Sequence, residues 1–306
     1  MNRGEYENIR LMAVLFVDIG SNTIKALLAE FEGGALAPLG EFSVPNRISS
    51  ISGLKSDAPD IILDSVKELE ARARGVRQNF GECLFGTSAL RSSKNAPEVL
   101  KSLEARGVKI RVLSGDEEAE LSFCGALEDA DLNLAPGGGA VYGDLGGGSM
   151  EIVVREGGQA LRLLSLPIGA VRITNAFSAN SVLDIKKAAE FCAENFSKME
   201  LPKGDFSVIC AGGALSAARV MLGGGVLRGR NVLTRGDFEF CLNECLNLGA
   251  GGICEKYGVL KNRAEILPAA FVCLLGFLIR AGRRELVHAR TSLRYGVAKK
   301  YFEGKL

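Results

Sequence analysis

Val141-Tyr-Gly-Asp-Leu-Gly-Gly-Gly-Ser-Met-Glu-Ile152 is the stretch on which the fold turns. An apolar lead-in ends in Asp144. Gly146, Gly147 and Gly148 follow, then Ser149, then a second apolar run that carries Glu151. Apolar runs on either side of a glycine cluster read as strand, tight turn, strand. Glycine lets the backbone take positive φ and lets a ligand approach closely. Successive backbone N–H groups in such a turn form an anion-binding nest. Asp144 and Glu151 beside it are carboxylates suited to a hydrated cation or a water.

Working outward, the same plan occurs near the start of the sequence. Leu11–Val17 is an apolar strand, Asp18-Ile-Gly20-Ser21-Asn22-Thr23 is an acidic glycine turn, and Ile24–Glu30 resumes the strand pattern. The correspondence pairs Asp18 with Asp144, Gly20 with Gly146 and Ser21 with Gly147. An internal duplication is expected, with one domain over 11–131, a second over 140–306, and the Pro- and Gly-rich segment Leu132–Gly139 as linker.

Behind each hairpin the patterns alternate between strand and helix. In the first half, helices are predicted at Ile61–Phe80, at Asn95–Arg106 and from Ser114 to about Glu128, with strands at Cys83–Phe85 and Val108–Leu113. Asn46–Pro59 reads as a loop. In the second half, strands are predicted at Ala160–Leu166, Phe206–Cys210 and Glu285–His288. Helices are predicted at Val182–Met199, from Leu215, from a Thr234 cap to about Leu248, at Ala264–Ala281 and at Ser292–Phe302. Met1–Arg10 reads as a loose polar tail and Leu222–Arg230 as a glycine-rich basic loop. Alternation of this kind, done twice, gives an α/β fold of two duplicated domains around a central cleft.

Composition narrows the function. The chain has 306 residues, 47% hydrophobic and 24% charged, which suits two globular domains. Lys+Arg is 37 against Asp+Glu 36, so no basic excess points to nucleic acid. The eight cysteines form no CxxC pair and read as reduced thiols of a cytoplasmic protein. His288 is the single histidine, which removes histidine-based triads and histidine-rich metal sites, and it reads as structural. The most apolar stretch, Ile266–Ile279, contains Pro268 and Gly276 and is too short for the roughly 30 Å hydrocarbon core of a bilayer. No membrane partner is expected.

Five blocks in order resemble the exopolyphosphatase / guanosine pentaphosphate phosphohydrolase family, within the actin, sugar-kinase and chaperone ATPase superfamily of ribonuclease H-like domains. They are Asp18–Asn22; Gly86-Thr-Ser-Ala-Leu-Arg91 with Lys94-Asn95-Ala96; Leu113-Ser-Gly-Asp-Glu-Glu-Ala119; Asp144-Leu-Gly-Gly-Gly-Ser149 with Glu151; and Ser165-Leu-Pro-Ile-Gly-Ala-Val-Arg172. Ala211-Gly212-Gly213 falls where the superfamily has a third glycine turn. The chain looks like the short, two-domain form of the family.

The resemblance implies a Mg²⁺-dependent hydrolase of terminal phosphoanhydride bonds. Its substrate would be inorganic polyphosphate or guanosine pentaphosphate, and a homodimer is admitted. Gly20, Ser21, Asn22, Gly146, Gly147, Gly148 and Ser149 would hold phosphate, with Arg91 contacting it. Glu118 would activate the attacking water and Glu151 would orient that water or the metal shell. Asp144 and Asp18 would hold the metal. Asp116 and Glu117 read as solvated charges at a helix start. Arg172 stands open between a surface charge and a site residue. The basic set Arg280, Arg283, Arg284, Arg290 and Arg294 stands open between a polyanion track and ordinary surface. Among the departures from the family pattern, Glu120 stands where many members are basic, Met150 replaces the usual threonine, and the third turn lacks a preceding threonine or serine. Two rival readings are a small-molecule kinase of the same superfamily and a non-catalytic polyphosphate- or nucleotide-binding protein.

Overall fold

The computed structural model describes residues 12–50, 53–129, 131–132, 139–156, 159–179, 182–223 and 231–306. The expected tail at Met1–Arg10, most of the expected linker Leu132–Gly139 and most of the expected loop Leu222–Arg230 lie outside the described residues. The chain divides into two compact units, residues 1–128 with 291–306, and residues 129–290.

The first unit is built on a five-stranded sheet. Its strands are β1 (Val14–Ile19), β2 (Thr23–Glu32), β3 (Ala35–Pro45), β6 (Gly81–Gly86) and β7 (Arg111–Val112), in the order β3-β2-β1-β6-β7. A small pair, β4 (Ser49–Ser50) and β5 (Gly53–Leu54), interrupts the expected loop Asn46–Pro59. Strands β1 to β3 form an antiparallel meander, and β6 and β7 run parallel to β1. The continuous apolar run of β1 is what a strand covered on both faces requires. Leu15, Val17 and Ile19 pack into one core with the helices Ala58–Arg74 and Ala96–Glu104. Val14 and Phe16 pack into another with Leu121 and with Leu293, Val297 and Phe302.

The second unit repeats the topology. Strands β8 (Ala140–Leu145), β9 (Met150–Glu156) and β10 (Gln159–Leu166) form the meander. Strands β13 (Ser207–Ala211) and β15 (Glu285–His288) extend it in parallel. With an antiparallel edge strand β14 (Val232–Thr234), the sheet order is β10-β9-β8-β13-β15-β14. A further pair, β11 (Ser178–Ala179) and β12 (Val182–Leu183), stands apart from it. One core of this unit gathers Val141, Leu145, Met150 and Ile152 against the helix Leu267–Ala281.

Several expected elements change at their ends. The helix expected over Val182–Met199 is Ile185–Phe196, because the Asp184 side chain accepts from Lys187 N and caps it there. The helix capped by Thr234 runs beyond Leu248 to Tyr257, with a break in helical geometry at Gly249. The expected Ala264–Ala281 splits, since Pro268 belongs in a first turn and starts a new helix at Leu267. The closing helix Leu293–Phe302 falls with the first unit, whereas the expected second domain of 140–306 included it. Its Leu293, Val297 and Phe302 complete the core on the Phe16 face of the first sheet. Among the described residues, no helix is long and apolar enough to cross a membrane.

Candidate functional site

In the second unit, Asp144 on β8 stands in register with Glu151 on β9, and Glu151 with Ser165 on β10. Directly opposed residues of antiparallel strands share a face, so these three make one polar row across the meander. Glu151 is 2% exposed, and Ser165 Oγ donates to its Oε1 at 2.8 Å. The fully buried Tyr142 donates its hydroxyl to Asp144 Oδ2 at 3.4 Å. Burial, and then the charge of Asp144, push that phenol well above its ordinary range, which keeps it a donor.

The turn after β8 is held from one side. Gly146 N donates to Ser149 O at 3.0 Å and closes it. Gly146 O accepts from Ala170 N, and Gly147 O accepts from Val171 N and Arg172 N, at 3.0, 2.8 and 3.1 Å. Gly148 O accepts from Arg172 Nε at 2.8 Å. Three successive carbonyls therefore face the start of the helix Ala170–Phe177. In a trans peptide the N–H points opposite to the C=O. The N–H groups of Gly147, Gly148 and Ser149 consequently face the other way, as an anion-binding nest requires. None of the three glycines has positive φ, so the expected left-handed backbone is not what asks for glycine here. Close approach does require glycine behind the turn, where a Cβ on Gly169 would lie 2.4 Å from the carbonyl of Gly147.

The first unit carries the same construction. Asp18, Lys25 and Ser43 stand in register across β1, β2 and β3, matching Asp144, Glu151 and Ser165. Four residues separate paired Ile19 and Ile24, as four separate Leu145 and Met150. The turn is again held from behind by the segment that follows the third strand. Asn46 Nδ2 donates to Gly20 O at 3.2 Å, and Asn46 N donates to Asn22 O at 3.1 Å. Ser21 and Asn22 are buried, as is Ser149 in the other turn.

Ile19 pairs with Gly86, and Gly86 with Val112, so the blocks after β1, β6 and β7 emerge at the same sheet end. In α/β sheets the carboxyl ends of parallel strands are the usual ligand side. Thr87 leads there into a short helix, Ser88–Ser92, which carries Arg91. Ser114 caps the helix Gly115–Ala126 with a full capping box: its Oγ accepts from Glu117 N, and Glu117 Oε2 accepts from Ser114 N. That hydrogen bond from Ser114, with Arg111 beside it, holds the Glu117 carboxyl below its usual range. Asp116 is exposed. Glu118 alone of the three acids is buried, at 7% exposure, and its Oε2 accepts from Arg91 Nη1 at 2.7 Å. Arg91 Nη1 also donates to Leu113 O.

Neither Glu120 nor Met150 lies beside these groups. Glu120 is two positions past Glu118, about 200° around the helix, and its exposed carboxylate stands 3.9 Å from Lys300 Nζ. Met150 is fully buried on the face opposite Glu151, with its Sδ 3.8 Å from Cys273 Sγ. Asn95 pairs both amide atoms with the backbone of Leu54 instead of capping a helix. Four of the five basic residues are tied to structural partners. Arg280 donates to Phe196 O and Met199 O, and Arg283 lies over the Phe206 ring at 4.2 Å. Arg290 pairs with Asp129 and Arg294 with Glu41. Ordinary surface and scaffold is therefore the reading that holds for those four.

Tyr142, Ser165, Lys25, Ser43 and Asn46 are additions that motif reading missed. For Tyr142 the signal was present in strand alternation, two residues before Asp144; Lys25, Ser43 and Ser165 are aligned with the acids only through strand register. Among the described residues, no group of three or more His, Cys, Asp or Glu forms a metal cage. Magnesium rarely needs one: one or two carboxylates, several waters and substrate phosphate suffice. The paired carboxylates Asp144 and Glu151 beside an outward-facing nest fit that demand.

The sequence profile of the Ppx/GppA phosphatase family matches residues 67–301. An uncharacterized protein of Streptomyces coelicolor is 31% identical over 172 residues, covering 55% of this chain and 50% of that protein. The bifunctional 3-dehydroquinate synthase/phosphatase of Fusobacterium nucleatum is 29% identical over 233 residues, 68% of this chain and 34% of that protein. The chain thus spans half or less of the curated relatives it matches. Among solved structures, an exopolyphosphatase from Cytophaga hutchinsonii superposes with a TM-score of 0.82 at 18% identity, over 95% of this chain and 98% of that one. The Ppx/GppA protein of Aquifex aeolicus gives 0.74 at 22% identity, over 96% and 98%. These likenesses share the fold, and with the repeated strand order they bear out two duplicated ribonuclease H-like α/β units.

Proposed function

The chain belongs to the Ppx/GppA phosphatase family, and from that premise we propose that it hydrolyses the terminal phosphoanhydride bond of inorganic polyphosphate or of guanosine pentaphosphate. The observation that carries this reading is the duplicated turn with its carbonyls held from behind, which leaves N–H donors free to face phosphate oxygens. In-line displacement at phosphorus needs positioning and charge stabilisation more than covalent chemistry. Gly146–Ser149 and Gly20–Asn22 provide fixed backbone donors. Arg91 exchanges its carboxylate partner for a phosphate oxygen, to which its planar fork is well matched. Glu118, released from Arg91, takes a proton from the attacking water and aims it. Glu151, fixed by Ser165 Oγ, would orient the hydration shell of the metal. When bound, Mg²⁺ would be held by Asp144 and would neutralise phosphate charge; Asp18 is the acid at the equivalent place in its own turn. We propose a cytoplasmic setting, in line with the free cysteines.

The deciding assay measures orthophosphate release from short polyphosphate, long polyphosphate and guanosine pentaphosphate in parallel, with and without Mg²⁺. Release from at least one, lost on chelation, is the expected result. No release from any of them, with transfer from ATP to another acceptor, would replace hydrolysis with kinase chemistry. Tight binding without turnover would make the protein a binder.

A further inference from the structure

Arg172 is the one side chain among the contacts described above that reaches the back of the second turn. Its Nε donates to Gly148 O at 2.8 Å, while the backbone of Ala170–Arg172 holds the carbonyls of Gly146 and Gly147. The first two ties come from main chain, so they survive replacement of the side chain at 172 by Gln, Lys or Met. The third depends on a side chain, and it governs the peptide that joins Gly148 to Ser149. Because that peptide is planar and trans, fixing the Gly148 carbonyl fixes the direction of the Ser149 N–H. Gly148, on one side of that peptide, offers little steric resistance to its rotation. Rotation would turn a carbonyl oxygen toward the nest, so that an acceptor would face an anion where a donor is needed.

We propose that Arg172 is a positioning residue for phosphate recognition: through Nε it locks the Gly148–Ser149 peptide with the Ser149 N–H aimed at the bound phosphoryl group. The proposal rests on the phosphohydrolase reading above and names how one donor of that site is set. The other half of the molecule shows the same device made differently. There Asn46, following the third strand as Arg172 does, holds the first turn with its Nδ2 on Gly20 O. Arg172 itself is exposed, so its replacement leaves the packed core of the unit intact.

Side-chain geometry allows the brace to be separated from the charge. In glutamine the amide nitrogen occupies the position along the chain that Nε occupies in arginine, so Arg172→Gln keeps the donor and loses the charge. Arg172→Lys keeps the charge and replaces Nε with a methylene. Arg172→Met loses both. Kinetics of orthophosphate release from tripolyphosphate by the full chain should place Arg172→Gln within about threefold of wild type in kcat/KM. Arg172→Lys and Arg172→Met should fall by about tenfold or more, the scale of one lost hydrogen bond in a desolvated site. The opposite order, with Lys near wild type and Gln as poor as Met, would make Arg172 a charge for the polyanion and overturn the brace. Equal activity in all three variants would overturn it as well. Crystal structures of the Gln and Met variants test the brace without turnover. The Gly148 carbonyl should keep its direction in Gln and lose it in Met. A wild type without phosphatase activity would sink the functional reading, and an unmoved peptide in the Met variant would sink the brace.

Discussion

Arg91 Nη1 lies 2.7 Å from Glu118 Oε2, and the two arrive from blocks 27 residues apart. The arginine read as a phosphate ligand and the glutamate read as the water-activating base are partners of each other. Glu118→Gln keeps the shape and a hydrogen-bonding oxygen but cannot accept a proton. Orthophosphate release should fall about a hundredfold or more, with a melting temperature within a few degrees of wild type. Arg91→Met should also lose activity and, by leaving the buried Glu118 without its cation, destabilise the protein by about 1–3 kcal/mol. Activity near wild type in Glu118→Gln would remove Glu118 from the mechanism.

The helix that carries Glu118 is placed by contact of backbone on backbone. A Cβ on Gly296 would lie 1.8 Å from Leu121 O, and one on Gly125 would lie 1.9 Å from Ser292 O. No rotamer change relieves a clash with main chain, so Gly296→Ala must push the closing helix away from the helix Gly115–Ala126. The expected loss is about 3 kcal/mol, at the upper end of the overpacking range. It is read as an earlier denaturant midpoint together with reduced activity, because the shift is felt at Glu118. Unchanged stability would show that the two helices do not meet as described.

His288 gives the second unit a specific response to acid. Burial, and then the charge of Arg219, lower its pKa from 6.5 to about 4. Unfolded chain takes up this proton near pH 6.5, whereas folded chain refuses it until about pH 4. The unfolded state therefore binds more protons in that window, and stability falls as pH drops from 6.5 toward 4. The total is roughly 3 kcal/mol. Unfolding measured across this window should show a steeper slope for wild type than for His288→Gln. Identical slopes would mean that His288 titrates normally in the folded protein.

How much of this was legible in the sequence depends on whether the cause was local. The two turns were, because an acid, glycines and flanking apolar strands lie within a dozen residues, and the pairing of Asp18 with Asp144 is repeated in strand register. The singling out of Glu118 among three adjacent acids needed the resemblance; the structure supplies a physical reason, since Asp116 is exposed and Glu117 is committed to the Ser114 cap. The allocation of Leu293–Phe302 was not legible, because its partners Phe16 and Leu121 are far away in the chain and an apolar helix face does not name the sheet it covers. Arg172 stayed open for the same reason: its acceptor, Gly148 O, is a backbone atom 24 residues earlier. Lys25 and Ser43 were hidden inside strands, where single polar residues are common and only the register shows them aligned with Asp18.

Met150 is the position where sequence and structure pull furthest apart. Read along the chain it stands between Ser149 and Glu151, as though a hydroxyl had been removed from the site. Alternation along β9 sends it to the other face, where it is fully buried and touches Cys273. A Cβ added to Gly143 would lie 2.3 Å from the Met150 methyl and 3.1 Å from the Phe277 ring, which shows how closely the thioether is enclosed. Restoring the family's residue with Met150→Thr would therefore leave a void beside Phe277 and place a hydroxyl among apolar groups. The expected cost is about 2–4 kcal/mol, seen as a lower melting temperature, with no gain in kcat for folded enzyme. A rise in kcat at unchanged stability would place residue 150 among the groups that face phosphate and would return the threonine to the chemistry of the turn.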